Sequence, residues 1–345
     1  MKRRTFLQFV SPSVGLMLGL MAIPLLITLF LSTRNCALEM DTVTVTETTP
    51  FGSKEVITQR AKLDSAGKTI KNCQFVGLTY YQKVLGIDSN DKKDTQTNNV
   101  PPADTGTTTN SNATEKNHNE FFSALKFTLI YIFATTPFVI IIGFLLALGV
   151  NNAHARFKGF LISASLLPFI ITPVVAALSI KWLFRDNGLI PYLLTFADIK
   201  IFWMAQAWSA QLLIVLYGIW HVVPFAFVVF YAGLQSVPMD AMEAATIDGA
   251  TRTQKFRYIV LPHMLPLVVF VLLIHIMDSY RVFEPVMVLT QGAFTTSVQY
   301  LTYFILLQEN NPYKASAASV LTIIGVLILL VPLLIKTYKE QMTSR

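Results

Sequence analysis

Charge is what this sequence has little of. Of its 345 residues 14% are charged and 53% hydrophobic, whereas a water-soluble domain carries roughly a quarter charged residues. The few charges are also clustered. None lies between Arg4 and Arg34, within Gly159–Ile180, within Ile201–Val237 or within Ala315–Ile335, and only His154 interrupts the stretch from Lys126 to Arg156. Each run reaches about 20 residues, the length a helix needs to cross roughly 30 Å of hydrocarbon. Cysteine is scarcer still, with Cys36 and Cys73 alone, which excludes a disulfide-rich scaffold and a thiolate metal cluster. The five histidines show no metal-ligand spacing, and no Ser/His/Asp or Cys/His set suggests an enzyme. Ser65-Ala66-Gly67-Lys68-Thr69 contains part of a phosphate-binding loop, but Lys62 stands where such a loop needs its first glycine. The chain therefore carries no ATPase of its own. No internal repeat marks an inverted-repeat transporter.

What is present reads as an all-α polytopic membrane protein. Six transmembrane helices are expected at about 12–33, 122–150, 160–184, 204–235, 263–289 and 315–336. The last but one is apolar at both ends yet contains His275, Asp278, Arg281 and Glu284. The net charge of +7 does not point to nucleic acid, because the basic residues fall where membrane topology wants them. Lys2, Arg3 and Arg4 precede the first span, Arg156 and Lys158 follow the second, Arg252, Lys255 and Arg257 follow the fourth, and Lys336, Lys339 and Arg345 follow the sixth. An even number of crossings puts all four regions on one side, the cytoplasmic one. Both termini are then cytoplasmic. The apolar N-terminal stretch is too long for a typical signal core and lacks a small-residue cleavage site, so an uncleaved first span is expected.

Four regions follow: 1–33 with the first span, an outer loop or domain at 34–120, a core of five spans at 121–336 and a tail at 337–345. In the outer segment Thr42–Thr49 alternates threonine with valine, the pattern of a short strand. Residues 88–119 are polar and low in complexity and are expected to be disordered. Cys36 and Cys73 both fall in this segment. In an oxidising compartment they form a disulfide, and otherwise they are two unpaired thiols.

The loop 236–262 has the strongest local signals. Pro238 suits the first turn of a helix, and Asp240 and Glu243 suit its positive end. Gly249 can take a left-handed conformation after the last turn. Thr251 with Gln254 forms a capping box that starts a second short helix, and Pro262 opens the next span. The result is a helix, an elbow and a helix. Met239, Met242 and Thr246 recur at helical spacing, so the first helix either rests on lipid headgroups or docks on a partner.

Glu243-Ala244-Ala245, three residues, Gly249, nine residues, Ile259, one residue and Leu261-Pro262 match the EAA loop of binding-protein-dependent ABC importer permeases at seven positions. The variant Ile247-Asp248-Gly249-Ala250 resembles the carbohydrate branch of that family, the maltose-transporter type. Phe75-Val76-Gly77-Leu78, Leu166-Leu167-Pro168, Pro173–Leu178, Gly188-Leu189-Ile190 and Arg281-Val282-Phe283-Glu284 are also similar to that branch. The insert 88–119 departs from it, as does Gln291-Gly292-Ala293-Phe294, where a glycine-rich turn is usual. The resemblance implies a type I importer fold in a bacterial inner membrane. It implies four kinds of partner: membrane lipid, a second permease subunit, a dimer of ATPase subunits and a periplasmic solute-binding protein. It implies that ATP and its magnesium are used on the ATPase, with no cofactor in this chain. It implies that Glu243, Ala244, Ala245, Asp248 and Gly249 fit a cleft on the ATPase. It places His275, Asp278 and Ser279, which share one face of the fifth span, and Phe225 of the fourth, on the substrate path. Two bland alternatives stand beside these: Asp278 and Arg281 pair as an ion pair between helices, and Phe225 is core or faces lipid. Arg281 and Glu284 are read as structural or gating groups. The cargo expected is a sugar. A polyamine or metal chelate moved by the same machine is the first alternative, and a secondary transporter the second.

Overall fold

The structure, a computed structural model, describes residues 3–38, 40–49, 52–61, 71–87, 120–196 and 201–343. The insert 88–119 and the phosphate-loop fragment at 65–69 lie outside them. In chain order the helices are α1 (Arg3–Ser32), α2 (Thr79–Leu85), α3 (Glu120–Asn151), α4 (Ala155–Ile170), α5 (Pro173–Phe184), α6 (Leu189–Thr195), α7 (Ala207–Gln235), α8 (Met239–Ile247), α9 (Arg252–Lys255), α10 (Leu261–Tyr280), α11 (Val298–Leu307) and α12 (Pro312–Thr343). Strands β1 (Arg34–Leu38), β2 (Met40–Thr49), β3 (Gly52–Ala61) and β4 (Lys71–Phe75) separate α1 from α2. Five helical stretches are long and apolar enough to cross a membrane: Val10–Ser32, Glu120–Asn151, Ala207–Gln235, Arg252–Tyr280 and Pro312–Lys339. The bent pair Ala155–Ile170 and Pro173–Thr195 passes the same test together, which brings the number of crossings to six if the pair is one span. Every lipid-facing backbone group must be satisfied within its own segment, and helices meet that demand.

The chain divides into two compact units. One comprises residues 1–118 with 305–321. In it β1 pairs antiparallel with β4, and β2 with β3 over Met40↔Ala61 to Thr49↔Gly52. The expected strand at Thr42–Thr49 is thus the main part of β2. Cys36 faces Cys73 in the β1–β4 register, and the two are disulfide-bonded with their Cα atoms 4.0 Å apart. Closing a loop of this size contributes about 3–4 kcal/mol on the chain-entropy estimate. Tyr313 at the start of α12 donates its hydroxyl to the Cys36 carbonyl at 3.2 Å and stacks on the buried Tyr80 of α2. The hydroxyls of Ser32 and Tyr81 lie 2.7 Å apart. Burial, and secondarily the neighbouring Tyr313, pushes the Tyr80 phenol upward from its ordinary value.

The other unit comprises residues 119–304 with 322–345. Its centre is the parallel pair α3 and α7, in which Tyr131 meets Gly218 and Phe144 meets Phe230. A Cβ built on Gly143 of α3 would lie 2.7 Å from the Ala226 Cβ and 3.2 Å from the Phe227 nitrogen of α7, so the two backbones touch. Such small-residue contact is how helices associate where surrounding lipid is as apolar as leucine. One buried cluster sits around Val139, Phe227, Phe230, Met264 and Val271, and a second around Tyr131, Leu213, Tyr217 and Val286.

Three expected boundaries change. The span expected at 160–184 is broken at Ile171–Thr172, and its halves meet at 95°. Pro173 is the cause: it removes a backbone N–H and drives Thr172 to an extended φ of −59° and ψ of 141°. The span expected at 263–289 ends at Tyr280. A turn at Arg281 and a π-turn at Val286–Thr290 follow, because Pro285 and the charged residues around it cannot continue a lipid-exposed helix. The second short helix of the 236–262 loop is not separate from the fifth span. α9 runs through a π-turn, Phe256–Val260, directly into α10. The Leu261 N–H reaches back to the Phe256 carbonyl, and this wider turn accommodates the donor that Pro262 lacks.

Candidate functional site

Two places in the second unit bear on function. The first is the loop between α7 and α10. Pro238 caps α8, and Asp240 lies in its first turn. Gly249 follows with φ +74°, and the Ala250 N–H returns to the Ala245 carbonyl at 2.9 Å. That left-handed residue closes the last turn in a way few side chains tolerate. The capping box is complete: Thr251 accepts from the Gln254 N–H, and the Gln254 side chain accepts from the Thr251 N–H. Lys255 donates to the Thr246 hydroxyl at 2.7 Å and braces the elbow. Glu243, Ala244, Asp248 and Gly249 are exposed and Ala245 half-buried. Met239 and Ile247 are 68% and 87% exposed, so α8 offers an uncovered apolar side.

The second is a cavity of about 130 Å³ between α3, α5, α7 and the end of α10. Asp278 and Ser279 line it. His275 does not. It is buried behind the lining, where Thr135 of α3 contacts its Nε2 at 3.0 Å. Phe225 does not line it either; it is half-buried and stacks on Phe169 at 6.3 Å. Arg281 and Glu284, read from the sequence as structural or gating groups, stand in the cavity wall. No ion pair within 4.0 Å joins Asp278 to Arg281. Charged groups at membrane depth are costly and ordinarily face a water-filled path or a partner. Here they face a cavity.

Tyr131, Tyr217 and His221 also line this cavity and were not singled out in the sequence. Their presence follows from the broken span. A break frees carbonyls that lipid cannot satisfy. His221 reaches one of these, the Ile171 carbonyl at the end of α4, at 3.4 Å, while Tyr217 donates to the Pro173 carbonyl in the first turn of α5 at 2.9 Å. The two rings stack on each other at 5.6 Å. The only signal was Pro173 itself, fifty residues away.

A broken span that borders a charged cavity, among long apolar helices, defines a membrane permease. The profile of the family described as "Binding-protein-dependent transport system inner membrane component" matches residues 111–343, and the chain belongs to that family. It is 30% identical over 240 residues to the arabinooligosaccharides transport system permease protein AraP of Bacillus subtilis, covering 68% of this chain and 75% of that one. It is 30% identical over 219 residues to the trehalose/maltose transport system permease protein MalF of Thermococcus litoralis, covering 60% and 72%. Among solved structures it is similar to a bacterial alginate ABC transporter in complex with an alginate pentasaccharide-bound periplasmic protein. The TM-score is 0.56 at 25% identity, over 62% of this chain and 77% of that one. The chain is thus a multi-pass permease component of an ABC importer and not itself catalytic.

Proposed function

We propose that this chain forms half of a pathway that carries a carbohydrate inward. A second permease subunit supplies the other half. A periplasmic binding protein delivers the cargo, and a separate ATPase dimer, which uses ATP and magnesium, drives the cycle through α8. The termini and the α8 loop lie in the cytoplasm, on the basic side.

The observation that carries this reading is the cavity at Asp278, Ser279, Arg281 and Glu284. Two carboxylates, a guanidinium and a hydroxyl beside the stacked Tyr217 and His221 rings provide acceptors, donors and an aromatic face. A sugar needs all three, because its hydroxyls both donate and accept while its ring carbons are apolar. The arabinooligosaccharides, trehalose and maltose, and alginate for which the relatives are named support the same class. Glu243, Ala244, Ala245, Asp248 and Gly249 form the docking element, and Phe225 and His275 support the path from outside the lining.

The test is reconstitution with the cognate subunits in vesicles and measurement of ATP-driven uptake of radiolabelled trehalose, arabinotriose and galactobiose. At least one should accumulate, and only with the binding protein present. Asp278→Asn should lower that uptake about tenfold, as expected for one lost charge-assisted hydrogen bond of roughly 1.5 kcal/mol, without lowering the amount of complex. A binding protein that takes a polyamine or metal chelate, and no carbohydrate, would overturn the cargo.

A further inference from the structure

Phe294, in the loop between the π-turn and α11, is held in a conformation that its own side chain disfavours. Its φ is +60°, a left-handed region in which a bulky residue is an outlier, disfavoured about tenfold. The loop around it is fastened at each carbonyl in turn. The Gln291 carbonyl accepts from the Tyr300 hydroxyl at 2.7 Å and the Gly292 carbonyl from Thr296 at 2.9 Å. The Ala293 carbonyl accepts from Thr295 at 3.1 Å, and the Phe294 carbonyl from the Gln211 amide at 3.1 Å. The Tyr300 ring lies so close over Gly292 that a Cβ there would meet it at 2.3 Å. Strained backbone persists where its surroundings over-determine it, and it collects at places that bind something. The fold itself makes little use of the Phe294 ring, which is 57% exposed.

The position of the loop says what meets that ring. α10 starts at the elbow, so on the topology proposed above the loop beyond its far end lies on the outer side. Ser297 donates to the Val282 carbonyl at 2.6 Å, and Val282 lines the cavity. Gln211, which holds the Phe294 carbonyl, precedes the cavity residue Tyr217 on α7. The helical rise between them is about 9 Å. The loop thus stands at the outer rim of the path by which cargo enters. Lipid is a poor occupant there. A fluid headgroup region reads no fixed backbone angle, and the aromatic residues it favours are Trp and Tyr. A protein surface does read fixed geometry, and rigid aromatic side chains anchor such interfaces because little freedom is lost when they bind.

We infer that Phe294 is a preset anchor for the periplasmic binding protein, its ring entering an apolar recess on that protein when cargo is handed over. The inference rests on the importer reading above for the identity of the partner. It also accounts for the departure from a glycine-rich turn: the left-handed bends are retained, and a side chain is added where a partner can use it.

The test uses the whole reconstituted complex in lipid nanodiscs and the binding protein that supports its uptake. Phe294→Asn keeps the left-handed bend without the ring. It should weaken binding of that protein by at least about tenfold, as expected for one aromatic anchor. Phe294→Tyr should stay within about threefold of wild type. The melting temperature of Phe294→Asn should be no lower than that of wild type, because the strain is relieved and the bend kept. Equal affinities of the asparagine variant and wild type overturn the inference. So does a melting temperature lower by about 5 °C or more, which would make the ring a packing group. p-Benzoylphenylalanine introduced at position 294 and irradiated in the same nanodiscs should join to the binding protein. Joining to lipid alone, or to the second permease subunit alone, overturns the inference. If no periplasmic protein binds the wild-type complex, the importer reading falls and takes this inference with it, whereas tight wild-type binding that the asparagine variant matches sinks this inference alone.

Discussion

Gly249→Val is expected to reduce ATP-driven uptake by at least about tenfold while the protein remains in the membrane at its normal level. The reason is local. Gly249 stands at φ +74°, and a Cβ built there meets nothing within 4 Å. The substitution therefore creates no clash and leaves the spans intact. Its whole cost is conformational: a side chain in the left-handed region costs roughly 1–2 kcal/mol, more when β-branched. That is about a tenfold fall in the population of the bent elbow, and on the docking proposed above α8 is then misaimed. Asn tolerates the left-handed region, so Gly249→Asn should keep uptake within about twofold of wild type. Uptake by vesicles, with immunoblots of the membrane fraction, separates the two outcomes. A valine variant as active as the asparagine variant would show that the elbow angle does not matter.

The largest loss of stability is expected from Gly143→Leu. The built Cβ on Gly143 lies 2.7 Å from the Ala226 Cβ and 3.3 Å from its carbonyl carbon, and backbone atoms cannot swing aside as a side-chain end can. α3 and α7 must part, and overpacking of this kind costs about 3 kcal/mol. Gly149 lies two turns further along α3 and has nothing within 4 Å of its built Cβ. Gly149→Leu should change stability by no more than about 0.5 kcal/mol. Thermal melts of the two variants in the same detergent make the comparison, and equal melting temperatures would refute the α3–α7 contact as the keystone of the second unit.

The parts of this fold that were legible in the sequence are those set by solvent and by short-range stereochemistry. Charge-free runs located the spans because lipid excludes charge along a whole segment. The elbow was legible because Pro238, Gly249, Thr251 and Gln254 act on their own neighbours. The break at Thr172 was not, although Pro173 is plain to see. Pro168 in α4, Pro137 in α3, Pro224 in α7 and Pro332 in α12 all sit inside unbroken helices, so proline alone does not announce a break. What distinguishes Pro173 is that His221 is at hand for the Ile171 carbonyl its break frees and that Tyr217 holds the first turn of α5 through the Pro173 carbonyl, and those pairings are tertiary. The candidate site divides the same way. Helical spacing put Asp278 and Ser279 on one face, and both line the cavity. It could not tell that Thr135 would draw His275 into the core, or that the helix would end at Tyr280 and turn Arg281 and Glu284 toward the cavity. The loop after α10 likewise places Gln291, Gly292 and Phe294 at φ values of 52°, 80° and 60°. The left-handed backbone of a glycine-rich turn is kept where two of the residues are not glycine.

The π-turn at Phe256–Val260 is a single surplus residue within an otherwise continuous rod from Arg252 to Tyr280. In a helix of 3.6 residues per turn, one residue corresponds to about 100° of rotation. The bulge therefore acts as an indexing step. It sets the compass bearing at which α8 leaves the rod relative to the face that carries Ser279 and Asp278. Lengthening or shortening the rod by a residue would preserve every span, every cap and every residue of the elbow, and would still aim the elbow at a different quadrant.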